Sequence, residues 1–78
     1  MARSIRDDLK RKVAQAVNHL AQAIVDINAV YEEFKKYEKP ETEYLVQVML
    51  QMSRERDALI AFAGAAWELD EMGLISYL

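Results

Sequence analysis

Cysteine is absent from this 78-residue chain, which excludes disulfides and every thiolate zinc site. One histidine, His19, leaves little for any other transition-metal site. A chain this short buries a smaller share of its surface than a large one, so its margin of stability is thin. With disulfides and structural metals set aside, oligomerisation remains, and a hydrophobic content of 53% agrees with it. Two glycines and one proline leave few places to turn, which favours long helices over a many-turned β fold. No apolar run reaches 18 residues, and MARSIRDDLKRK has no apolar core of a secretory signal. The expectation is a cytoplasmic, cofactor-free protein that neither spans nor anchors in a membrane.

What is present is helical patterning. Ser4 with Asp7 resembles a capping box. Beyond it Val13, Val17, Leu20, Ile24, Ile27, Tyr31 and Phe34 recur in alternating steps of four and three. That is a heptad seam, and it predicts one helix over about 4–38. Ala16, Ala23, Val30 and Tyr37 lie beside the seam on one flank, Ala14 and Ala21 on the other. A two-stranded coiled coil carries charges there, so so broad an apolar face points to a bundle. Pro40 cannot continue the first helix but suits the first turn of a second. The turn is therefore expected at about 38–41 and the second helix at about 42–72, with Gly73 as its C′ residue and 74–78 as an apolar tail docked on the rest. The polar run SRERD (53–57) interrupts the second seam.

A short connection between long helices predicts an antiparallel two-helix hairpin, one domain over 1–78. Charge supports this. Residues 1–12 carry five cations against Asp7 and Asp8, whereas 68–78 carry only Glu68, Asp70 and Glu71. Each cluster sits at the unfavourable end of its own helix dipole, and an antiparallel hairpin brings the two together. The stretch ALIAFAGAAW (58–67) is apolar all round, and such a helix is normally buried all round. One hairpin cannot do that alone. The predicted all-α assembly is a homodimeric four-helix bundle, with Leu59, Phe62, Ala63, Ala66, Trp67, Ile24 and Ile27 at the oligomer interface.

Residues with chemistry are few. His19 has no companion nucleophile or orienting group. The pairs Glu32/Glu33 and Asp70/Glu71 lack the Glu-x-x-His spacing of bundle metal sites, and Glu32–Lys36 reads as a surface i,i+4 pair. Asp26 with Arg54 or Arg56, beside Glu55, is a candidate polar layer fixing register. Tyr31, Phe34, Tyr37 and Tyr44 gather around the turn, as tip packing or as an aromatic patch for a protein partner. The composition leads to a non-enzymatic module that binds itself or another protein, as an adaptor, inhibitor or accessory subunit would. The rival is a nucleic-acid binder using Arg3, Arg6, Lys10, Arg11 and Lys12, which a net charge of −3 disfavours.

Overall fold

The computed structural model describes residues 5–78. Three α-helices account for most of them: α1 (Ile5–Phe34), α2 (Thr42–Trp67) and α3 (Glu71–Ile75), with a 3₁₀ turn over Lys35–Tyr37. There is no strand among the described residues. The expected cap at Ser4 and the cation Arg3 lie outside them.

The long helix is 30 residues, about 45 Å at 1.5 Å per residue. Its α-helical part ends at Phe34, four residues before the expected end at about 38. Lys35–Tyr37 tightens into the 3₁₀ turn, Glu38 adopts a left-handed conformation (φ 52°), and its N–H bonds Lys35 O at 3.3 Å. Pro40 follows, and α2 begins with Thr42 N–H on Lys39 O at 3.1 Å. The second helix runs unbroken through SRERD.

Its far end differs from expectation. α2 stops at Trp67, not near residue 72, because Glu68 turns left-handed (φ 56°) and its N–H closes on Gly64 O at 3.0 Å. Asp70 then caps a new helix, its Oδ1 accepting from Gly73 N–H at 2.7 Å, the usual N-cap geometry. Gly73 is thus inside α3 with a negative φ, and no C′ residue. A Cβ there would meet Asp70 Oδ1 at 3.2 Å and Leu69 Cδ2 at 3.3 Å, so the close approach of the cap is what needs glycine. Residues 74 and 75 are accordingly the last two residues of this helix, and 76–78 follow it as a turn.

A left-handed φ is costly for any residue with a Cβ and nearly free for glycine. Glu68→Gly is expected to raise stability by about 1 kcal/mol, read as a higher thermal midpoint by circular dichroism. A lower midpoint would show that the Glu68 side chain matters more than its backbone.

Among the described residues only Ala14, Val17, Ala63 and Leu74 are buried, and all four form one cluster where α1, α2 and α3 meet. Val13, Leu59, Ile60, Trp67, Leu69, Ile75 and Tyr77 pack around them. From Asn18 to Phe62, where only two helices lie together, no residue is buried. Leu20, Ile24 and Ile27 on α1 and Leu45, Met49 and Met52 on α2 remain half-exposed. The molecule measures 55 × 23 × 16 Å. The helices α1 and α2 lie side by side, and α3 adds a second layer over one end of the pair only.

Candidate interaction face

The two surfaces of the α1–α2 pair are unlike. On one, α3 lies over the N-terminal half of α1 and the C-terminal half of α2. Leu74 fills the gap between Ala14, Val17 and Ala63. Tyr77 anchors the end of the chain: its carbonyl accepts from Arg11 Nε at 3.2 Å, its hydroxyl from Lys10 Nζ at 3.3 Å, and that ammonium lies 5.3 Å from the ring centroid. Arg11 also reaches Asp8 at 3.3 Å, and Arg56 is paired with Glu71.

The opposite surface carries two apolar rows. On α1 the row is Leu9, Val13, Ala16, Leu20, Ala23, Ile27, Val30 and Phe34, in alternating steps of four and three. On α2 it is Tyr44, Val48, Met52, Glu55, Leu59, Phe62 and Ala66. At 3.6 residues per turn each row flanks the line along which α1 and α2 touch. Neither row contributes a residue to the buried cluster that α3 closes, so both are assigned to the side away from it. Val30 and Phe34 meet Glu41, Thr42 and Leu45 around a hollow at the loop end of this surface. Leu9, Val30, Phe34, Tyr44, Val48 and Phe62 are all exposed.

The area is consistent with a missing cover. The chain exposes 5877 Å², whereas a compact monomer of 9.0 kDa exposes about 4,900 Å². The excess of about 1,000 Å² is similar to the roughly 800 Å² that one partner contributes to a standard interface.

Of the expected interface residues, Phe62 and Ala66 lie on this face, and Leu59 and Ile27 are at its inner edge. Ile24 sits between the helices. Ala63 belongs to the chain's own core, with Trp67 packed against that core and edge-on to Phe62 (5.4 Å, 81°). ALIAFAGAAW therefore needs less cover than its composition suggests. Ala58, Ala61, Ala65 and Ala66 expose only methyl groups. Missing from the expected set were Val48, Tyr44, Val30 and Phe34, all readable as continuations of the same heptad.

The polar layer is not assembled. Asp26 accepts from Gln22 at 3.4 Å, Glu55 from Gln51 at 3.3 Å, and Arg56 reaches Asp57 and Glu71; Arg54 is exposed. Asp26 thus meets a neighbour on its own helix, not an arginine of α2. The basic cluster is likewise divided, with Lys10 and Arg11 held at Tyr77 and Arg6 and Lys12 exposed. The two charged ends do meet, but through the Tyr77 carbonyl, hydroxyl and ring, while Asp70 caps and Glu71 serves Arg56. At the loop, Phe34, Tyr37 and Tyr44 are exposed and only Tyr31 is half-buried, so they do not form a packed tip. The surface pairs there are Glu32–Lys35 (2.6 Å) and Glu33–Lys36 (3.2 Å), one residue closer than the expected Glu32–Lys36. The Glu32 hydrogen bond and charge hold the Lys35 ammonium above its ordinary value.

Among the described residues no group of histidine, aspartate and glutamate side chains could hold a metal ion, and no helix is long and apolar enough to cross a membrane. Comparison with protein-family models, curated proteins and solved structures finds no match.

Proposed function

We propose that the chain is a non-enzymatic interaction module, an antiparallel helical hairpin whose apolar face covers that of a second copy in a four-helix bundle. The observation that carries this reading is the stretch of the α1–α2 pair that α3 does not cover, where no residue is buried. A stable domain stacks two layers around one core, and over that stretch this chain supplies one, with burial completed only where α3 adds a third helix. A second copy is the occupant of matching length and matching apolar pattern, and a two-fold pairing uses the same patch twice. The nucleic-acid reading loses support from Lys10 and Arg11, which hold Tyr77 instead of standing clear.

Static light scattering across a hundredfold dilution tests the proposal. The expected mass is twice the 9.0 kDa of the chain. A constant mass of one chain would overturn it. The association should also change little with salt, since apolar contacts respond weakly where phosphate contacts respond steeply.

A further inference from the structure

Glu55 is the one charged side chain in the middle of the apolar face. It stands at the midpoint of α2 (Thr42–Trp67), between Met52 and Leu59 in the same row, and its level on α1 is occupied by Leu20, Ala23 and Ile27. In the separate chain it is exposed, and its Oε1 accepts a hydrogen bond from Gln51 Nε2 at 3.3 Å.

We propose that Glu55 makes self-association proton-linked, so that two copies pair more tightly when their Glu55 carboxyls are neutral. This rests on the pairing reading above. A two-fold axis between two stacked helical layers runs either along the helices or across them at mid-length. Both arrangements bring the midpoint of one copy to the midpoint of the other. The two Glu55 side chains then share one level of the bundle, on neighbouring helices about 8–10 Å apart for the crosswise axis and on diagonal helices for the lengthwise one. Burial there penalises the carboxylate far more than the neutral acid, and a second carboxylate at the same level adds to the penalty. Gln51 can still donate to the carbonyl oxygen of the neutral acid, so protonation removes the charge without orphaning the amide.

The arginines of α2 do not offset this. On α1, His19 and Asp26 border the apolar row, next to Ala16, Ala23 and Val30 on its outer edge. On α2, Arg54 points outward, while Arg56 is held by Asp57 and by Glu71 of α3 across the layer. The second copy brings only the same set.

Sedimentation equilibrium at pH 8.0 and pH 6.0, on the unaltered chain and on Glu55→Gln, tests the inference. The unaltered chain is expected to dimerise about tenfold more tightly at pH 6.0. Glu55→Gln should pair more tightly than the unaltered chain at pH 8.0 and lose that pH dependence. Both chains share the fall in net charge toward the pI, and repeating the pair on a His19→Gln background removes the imidazole, so the remaining difference isolates Glu55. A dimer equally tight at both pH values, or a Glu55→Gln chain that keeps the pH dependence on that background, overturns this inference while leaving the bundle standing. A monomer in every condition overturns the bundle itself.

Discussion

Leu74→Ala is expected to lower stability by about 3 kcal/mol, a drop in thermal midpoint of roughly 15 °C for a chain of this size. Leu74 and Val17 are the two large side chains that are fully buried. Leu74 alone closes the gap between Ala14, Val17 and Ala63, and alanine would leave a cavity there instead of a core. A single core in a chain below about 80 residues supplies only about 3–5 kcal/mol, so this one substitution removes most of the margin. Met72→Ala, two residues earlier in α3 at a side chain that is 80% exposed, should change stability by less than about 0.5 kcal/mol. The pair of melts, followed by circular dichroism, separates docking of α3 from its helical propensity. If Leu74→Ala and Met72→Ala melted alike, the placement of α3 against α1 and α2 would be wrong.

The same helix marks where sequence reading reached and where it stopped. The heptad steps from Val13 to Phe34 and the isolated Pro40 were enough for both long helices and for the turn between them, because a sustained period and a lone breaker are strong local signals. The end of α2 was not legible. It depends on Glu68 taking a left-handed conformation in a run of residues that all suit helix, and on Asp70 being a cap instead of one more acidic residue. A glycine three residues after an aspartate was a usable sign of that cap, but Gly73 also fits the commoner role of helix terminator. Apolar composition foretold that 74–78 would dock. It could not foretell that docking would use Lys10 and Arg11, since a carbonyl oxygen and an aromatic face are invisible to charge counting. The polar layer failed for a simpler reason. Pairing Asp26 with an arginine of α2 assumed that both faced inward, whereas Asp26 stands on the outer side and Arg56 turns toward α3.

Val48→Glu should abolish self-association, whereas Leu50→Glu should leave it intact. The two residues are aliphatic, two positions apart on α2, and exposed to similar degrees in the separate chain, 45% and 53%. Residues two apart on a helix point about 200° from one another, so Val48 lies in the row with Tyr44 and Met52 while Leu50 lies on the outer side of the layer. Neither glutamate disturbs a buried contact within one chain, and circular dichroism should report similar helix content for both variants. In the proposed two-fold bundle, however, each Val48→Glu substitution counts twice. Two unpaired carboxylates buried at about 2 kcal/mol or more apiece weaken the dimer by at least about a thousandfold. Light scattering at micromolar concentration would then read one chain mass for Val48→Glu and two for Leu50→Glu. The reverse pattern would move the partner to the α3 side of the layer, where Val25, Val46 and Leu50 lie beyond the reach of α3. Loss of the dimer in both variants would mean that the chain is covered on both sides, as in an assembly larger than a four-helix bundle.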